Sequence, residues 1–135
     1  VGLIPIIEPE VDIDTLHKKG AEAILKEELL KHINTLDEKH QVMLKLTLPD
    51  EENLYADLMT LPNVVRVVAL SGGYSRDLAN KKLAENHGLI ASLLRALSEG
   101  LSADQSEEEF NQMLDESIQE IFELPQLHLS YFSIL

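Results

Sequence analysis

The sequence lacks cysteine, has few basic residues and contains no long apolar run. The absence of cysteine excludes disulfides, thiolate metal sites and cysteine nucleophiles, and it favours a cytoplasmic location. Eleven basic residues against 24 acidic ones give a formal charge of −13. With no basic patch, this charge argues against nucleic acid and anionic membranes as partners. No apolar run approaches the roughly 20 residues of a membrane-spanning helix.

The rest of the composition is that of a globular domain. Of the 135 residues, 44% are apolar and 26% are charged, which is enough apolar material for a core. The chain begins with Val1 rather than methionine, and its first residues, GLIPIIEP, already have the pattern of a strand. Because a natural start usually offers several dispensable residues before a core element, we expect the sequence to be part of a longer protein.

Four short apolar runs organise the chain, and each is followed by a segment of helical character. The runs are Leu3–Ile7, Val42–Leu48, Val64–Leu70 and Gly88–Leu94. The helical segments are predicted at about Thr15–Leu36, Glu51–Thr60, Ser75–Asn86, Arg95–Glu99 and Ser106–Phe122.

Local signals add detail to the helix predictions. Asp14 is placed as the N-cap of the first helix, and Gly88 supplies the turn from the third helix to the fourth strand. Ser106 and Glu109 form a capping box at the start of the last helix. The apolar stripe of that helix is predicted to be Phe110, Leu114, Ile118 and Ile121.

The alternation of strand and helix predicts an α/β fold with parallel strands, apolar on both faces and covered by helices. A doubly wound sheet would place a glycine-rich phosphate loop after its first strand, but the first strand here ends in EPE and the glycines follow the third. A (β/α)₈ TIM barrel is typically about 250 residues, so four units make about half of one. We therefore expect residues 1–135 to form a half-barrel, with the tail from about 123 unassigned.

Lys45 lies within the apolar, strand-forming stretch VMLKLTLPD, whereas the seven other lysines have polar or acidic neighbours. Burying an ammonium among apolar groups disfavours its charged form, and a free amine can attack a carbonyl to form a Schiff base. The alternative is a side chain that points to the helix layer and pairs with a glutamate. The sequence thus makes Lys45 a candidate nucleophile.

Acidic residues follow the first strand and glycines follow the third. Glu8 and Glu10 share parity with the inward residues of their strand. A carboxylate near a Schiff-base lysine can relay protons. The alternative is that either glutamate is only a salt-bridge partner. The turn Ser71–Gly73 allows backbone amides to approach an anion, and Arg95 can donate to the same phosphate. A tight turn and a surface arginine are the alternatives. The five histidines have no metal-ligand spacing, so no metal is expected.

Taken together, GLIPIIEPE, MLKLTLP, VVALSGGYSRD and ASLLRALSEGL resemble class I fructose-bisphosphate aldolase, in particular its bacterial branch. The resemblance extends to about Phe122 and implies that the chain is the second half of the barrel, strands five to eight. It implies Lys45 as the Schiff-base lysine, Glu8 as the acid/base and Glu10 as its support. It also implies that four residues bind the substrate phosphate: Ser71, Gly72, Gly73 and Arg95.

The resemblance implies reversible, metal-independent cleavage of fructose 1,6-bisphosphate to dihydroxyacetone phosphate and glyceraldehyde 3-phosphate, without a cofactor. Leu93 and Leu94 depart from the family, which usually has a small residue before the arginine, and the tail ELPQLHLSYFSIL does not align. The implied partners are the two phosphorylated ketoses and either the missing N-terminal half or a second copy, in a homo-oligomer.

Two alternatives stay open. One is a different Schiff-base barrel enzyme, such as a transaldolase-like or deoxyribose-phosphate aldolase enzyme. The other is a non-catalytic half-barrel that retains the motifs as a phosphate-binding surface, because residues that the family contributes from its first four strands are not in the sequence.

Overall fold

The computed structural model describes residues 2–92 and 97–126. Its four strands are β1 (Ile6–Ile7), β2 (Val42–Thr47), β3 (Val64–Leu70) and β4 (Ile90–Ala91). Four helices have complete bounds: α1 (Lys18–Ile33), α2 (Ala56–Met59), α3 (Arg76–Ala84) and α4 (Glu107–Gln126). The predicted short helix near Arg95–Glu99 and the tail beyond 126 lie wholly or partly outside the described residues.

The strands form one parallel sheet in the order β1-β2-β3-β4. Strands adjacent in sequence are therefore adjacent in the sheet, and α1, α2 and α3 make the connections. The register places Lys45 beside Val68 of β3, and Val68 beside Ile90 of β4. The predicted α/β class with a parallel sheet is confirmed, and the carboxyl ends of all four strands lie at one edge.

The core lies between one face of the sheet and the helices. Leu44, Leu46 and Val67 are buried on this face, as expected for alternate residues of a half-covered strand. The buried helical residues packed in the same cluster are Leu29, Ile33, Leu58, Ala79 and Leu83. This single apolar layer fixes the positions of the strand ends.

The opposite face of the sheet is exposed, so the described helices cover one face of the sheet and not both. Ile6 is 53% exposed, and Ile4 and Ile90 are also open to solvent. Met43 and Val68, between them on β2 and β3, are half-buried. No described segment packs over these side chains, so this apolar face lies uncovered within the described part of the chain.

Two helix predictions need correction. Asp14 is not the N-cap of α1, because residues 12–15 form a separate turn in which the Asp14 N–H bonds Asp12 Oδ1 at 3.0 Å. The helix begins after His17. The predicted second helix is shorter, because Asn53 adopts a positive φ of 56° and exchanges hydrogen bonds with the 86–87 loop before α2 starts.

The caps of the two later helices follow the sequence. Ser75 caps α3 by accepting from the Leu78 N–H, and Ser106 and Glu109 form the predicted capping box of α4. The predicted stripe of α4 is half right. Leu114 and Ile121 are partly buried, whereas Phe110 and Ile118 are exposed and Ser117 is fully buried. None of the helices in the described ranges has the length and apolarity needed to cross a membrane.

Candidate active site

Lys45 lies on the uncovered face of β2. Its register neighbour across β3 is Val68, and its side chain is 28% exposed. The Nζ atom forms an ion pair with Glu8 Oε1. Apolar surroundings were expected for this amine, but the structure places a carboxylate against it and leaves the side chain half-buried.

Glu8 follows β1 directly, and parallel pairing explains its position. Ile6 pairs with Met43 and Ile7 with Leu44, so the next step of the register brings Glu8 beside Lys45. Glu8 and Glu10 both line the cavity that contains Lys45. Both predicted acids are thus brought to the candidate nucleophile, and Glu8 is the one in ion-pair contact.

Thr47 fixes the segment that follows the two acids. Its Oγ1, buried on the lysine face two residues after Lys45, accepts a hydrogen bond from the Val11 N–H at 3.0 Å. This bond joins the segment 8–17 to the end of β2. Thr47 was not predicted as a site residue, although its shared parity with Lys45 was the available signal.

The predicted phosphate turn, Ser71–Gly73, closes the cavity from the β3 side. Ser71 and Gly72 line it, and Gly73 follows as an exposed residue outside the lining. Gly72 has φ +64°, and a Cβ there would lie 3.0 Å from methyl groups of Ile13 and Thr47. Only glycine fits both this backbone conformation and this close approach.

The cavity measures about 180 Å³. Its wall also includes Ser92, which follows β4 and was not predicted, because it lies inside the apolar run Gly88–Leu94 from which the fourth strand was expected. Arg95, predicted to bind phosphate, comes three residues later and lies outside the described residues. The cavity therefore combines an amine, two carboxylates and two serine hydroxyls at the carboxyl edge of a parallel sheet.

This set of groups suits carbonyl chemistry. A primary amine can condense with a ketone once its proton has gone, and the Glu8 carboxylate in contact with Nζ can accept that proton. No group of three or more His, Cys, Asp or Glu side chains within the described ranges is arranged to hold a metal ion. The cavity therefore contains the groups that Schiff-base chemistry requires, an amine with a carboxylate in contact.

A second lysine is far more buried than Lys45. Lys18, in the first turn of α1, is 4% exposed, and its Nζ contacts Glu22 and donates to Leu48 O at 2.9 Å and Asp50 Oδ1 at 3.2 Å. Glu22, fully buried, also accepts from the Asp50 N–H at 3.1 Å. The prediction that Lys45 is the exceptional lysine was therefore wrong in terms of burial.

Asp50 links this pair to α3 and to the phosphate turn. Its Oδ1 also accepts from Lys82 Nζ at 2.9 Å and from the Tyr74 hydroxyl at 3.3 Å. The Nζ atoms of Lys18 and Lys82 lie 5.8 and 5.2 Å from the centre of the Tyr74 ring. We call these five residues the ion cluster: Lys18, Glu22, Asp50, Tyr74 and Lys82.

Electrostatics favours the charged forms within the ion cluster. Burial acts to lower the pKa of Lys18, but the Glu22 carboxylate outweighs it and the pKa is raised. Burial likewise acts to raise the pKa of Asp50, but hydrogen bonds from Lys82 and Lys18 outweigh it and the pKa is lowered. These directions are those of a structural ion network rather than of a reactive amine.

The sequence did contain a signal for the buried pair. Leu29 and Ile33 lie on one face of α1, and the same helical spacing toward the start of the helix leads to Glu22 and Lys18. These four are the buried residues of the helix. Two charges in register with a core stripe indicate a buried pair.

Three curated relatives match the chain over 122 residues. Identity is 59% with the class 1 fructose-bisphosphate aldolase of Synechocystis sp., 58% with that of Clostridium acetobutylicum and 52% with that of Porphyromonas gingivalis. Each match covers 90% of this chain and 41% of the relative, so the chain spans about two-fifths of the length of these relatives. No protein-family profile matches the chain. The resemblance predicted from the four motifs is therefore confirmed: over nine-tenths of its length the chain is similar to bacterial class 1 fructose-bisphosphate aldolases.

Proposed function

We propose that the chain supplies the imine-forming part of a class I fructose-bisphosphate aldolase, a glycolytic lyase of the cytoplasm. The observation that carries the proposal is the Lys45–Glu8 pair at the carboxyl edge of a parallel sheet, beside the turn Ser71–Gly73. The names of the similar proteins favour this activity over the other Schiff-base enzymes and over a non-catalytic module.

The proposed reaction begins with transfer of a proton from Lys45 Nζ to Glu8. The free amine adds to the C2 carbonyl of fructose 1,6-bisphosphate, and loss of water from the carbinolamine gives a protonated imine. Glu8, a carboxylate again after the dehydration, takes the proton of the C4 hydroxyl as the C3–C4 bond breaks, and the electron pair of that bond moves into the iminium to form an enamine. Glyceraldehyde 3-phosphate leaves at this point.

The second half of the reaction regenerates the lysine. The enamine carbon takes that proton back from Glu8, water adds to the resulting iminium, and dihydroxyacetone phosphate leaves with Lys45 restored. Glu8 relays protons during dehydration and hydrolysis, and Glu10 supports the acidic side of the cavity. Ser71, Gly72, Gly73 and Arg95 are the proposed phosphate contacts.

We further propose that residues 1–135 form strands five to eight of a TIM barrel. In a barrel, the side chains that point inward come from alternate residues of each strand, and the site lies at the carboxyl ends. The uncovered face with Ile6, Met43 and Val68 fits that inner surface, and the remaining strands, or a second copy in a homo-oligomer, would cover it.

Borohydride reduction tests the imine directly. The complete natural protein is incubated with dihydroxyacetone phosphate and reduced, and the intact mass is measured; we expect a gain of one ligand less one oxygen atom. Lys45→Arg keeps the charge opposite Glu8 but cannot form an imine, so the gain should vanish. Lys39→Arg, at an exposed lysine remote from the cavity, is the matched control and should retain it. Retention of the adduct in Lys45→Arg would refute the proposal.

A further inference from the structure

The ion cluster contacts the Ser71–Gly73 turn through Tyr74, on the side away from the cavity. Tyr74 follows Gly73 directly, and its N–H donates to Ser71 O at 3.1 Å, which closes the turn. Its hydroxyl donates to Asp50 Oδ1 at 3.3 Å, on the side of the sheet edge occupied by α1 and α3. Tyr74 thus closes the turn with its backbone N–H and belongs to the ion cluster through its side chain.

Two ammonium groups fix the Tyr74 ring. Lys18 Nζ and Lys82 Nζ lie near the ring, at the distances of cation–π contacts, and both donate to the carboxylate that accepts the tyrosine hydroxyl. Lys82 also donates to Pro49 O at 3.3 Å, and Lys18 to Leu48 O at 2.9 Å. The ring is therefore fastened to the backbone that follows Lys45 on β2.

The turn needs this support because glycine does not provide rigidity. Gly72 and Gly73 have φ of +64° and +114°, and glycine has the largest conformational freedom of any residue. An anion site made from backbone amides binds best when those amides are already in place, since any ordering on binding subtracts from affinity. Gly72 is packed on Thr47 and Ile13, and Tyr74 is the attachment at the other end of the turn.

We infer that Tyr74, held by Asp50 and Lys82, is a positioning residue that orders the Ser71–Gly73 turn and gives the site its preference for a phosphorylated ketone over the same ketone without phosphate. The inference rests on the proposed function. Tyr74 acts through the turn and is not in contact with the reacting atoms.

The test compares two ketones that differ only in the phosphate. Imine trapping is measured at increasing concentrations of dihydroxyacetone phosphate and of dihydroxyacetone, in the complete protein and in Tyr74→Phe. The variant keeps the ring and loses only the hydroxyl bond to Asp50. We expect the half-saturating concentration of the phosphorylated ketone to rise about threefold to tenfold, the value of one hydrogen bond, with that of dihydroxyacetone unchanged.

Two further variants sharpen the result. Asp50→Asn removes the charge that both lysines and the hydroxyl share, and it should change the selectivity in the same direction by at least as much. Tyr55→Phe is the matched control: this buried hydroxyl has no hydrogen-bond partner among the described residues, so its loss should leave both ketones unaffected.

The outcomes separate the two proposals. If the parent traps neither ketone, the proposed function fails and the inference fails with it. If the parent traps both, but Tyr74→Phe changes neither or weakens both equally, only the inference is overturned, because a merely structural role would not discriminate between the ketones.

Discussion

Two lysine–glutamate pairs lie near the end of β2, one on each side of the sheet. Lys45 and Glu8, on the uncovered face, are 28% and 41% exposed, whereas Lys18 and Glu22, on the helix side, are 4% and 0% exposed. Lys18 has backbone and carboxylate partners from Leu48 and Asp50 that occupy its donors, and Lys45 opens into a cavity. Access to a cavity, rather than depth of burial, distinguishes the pair that we propose to react from the structural pair.

The largest expected effect comes from breaking the buried pair. Glu22→Leu removes the nearer of the two carboxylates paired with the Lys18 ammonium and leaves the Asp50 N–H without its acceptor, which should cost about 3–5 kcal/mol of unfolding free energy. Urea unfolding measures it. In the double variant Lys18→Met with Glu22→Leu, most of the loss should be recovered, because a well-packed apolar pair can replace a buried ion pair.

The same measurement on the exposed pair should give a small change. Glu8→Gln should alter the unfolding free energy by at most about 1 kcal/mol, the range of solvent-exposed ion pairs. Imine formation by the Glu8→Gln variant should be slower, because the carboxylate that accepts the proton from Lys45 Nζ has been removed. A stability loss at Glu8 as large as that at Glu22 would abolish the distinction between the two sides of the sheet.

Glycine substitutions on the two sides should have opposite signs. Gly72→Ala, at the cavity, meets methyl groups at 3.0 Å in a positive-φ conformation and should destabilise by about 1–2 kcal/mol. Gly20→Ala, in the first turn of α1 with no described atom within 4 Å of the added Cβ, should stabilise by about 0.4–1 kcal/mol. Thermal unfolding of both variants checks this, and equal shifts would contradict the packing described for the turn.

The smallest effect is a pH dependence of the ion cluster. The folded-state pKa of Asp50 is lowered, so its stabilising contribution is present above its unfolded value of about 3.9 and is lost as pH falls through the folded pKa. The pKa of Lys18 is raised, so its contribution is present below 10.5 and is lost as pH rises through the folded value. Parent and Asp50→Asn should differ by up to about 1 kcal/mol at pH 7, and the difference should shrink below about pH 4. A difference that stays constant down to about pH 2 would argue against the cluster.

Much of the fold follows from local pattern. The strand stretch around Lys45 and the capping box at Ser106 were predictable because they depend on near neighbours in sequence. The cap at Asp14 was not, because a turn at Asp12 competes for the same residues. The length of α2 also depends on a distant partner, since Asn53 bonds the loop at Asn86, which no local pattern indicates.

The residues of the candidate site likewise differ in whether the sequence predicts them. Lys45, Glu8, Ser71 and Gly72 are brought to one cavity because parallel strands bring their carboxyl ends together, a rule that sequence alone can use. The ion cluster depends on contacts between α1, α3 and the end of β2, which lie 28 to 33 residues apart in sequence. Such contacts between charged residues leave only a weak trace in periodicity.

The most direct measurement is the location of the imine in the unmodified protein. After incubation with dihydroxyacetone phosphate and borohydride reduction, proteolytic peptides are quantified for the adduct at each lysine. We predict that the adduct lies on Lys45 and that Lys18 carries none, although Lys18 is the more buried amine. Adduct on Lys18, or shared between the two, would contradict the assignment of one pair to chemistry and the other to structure.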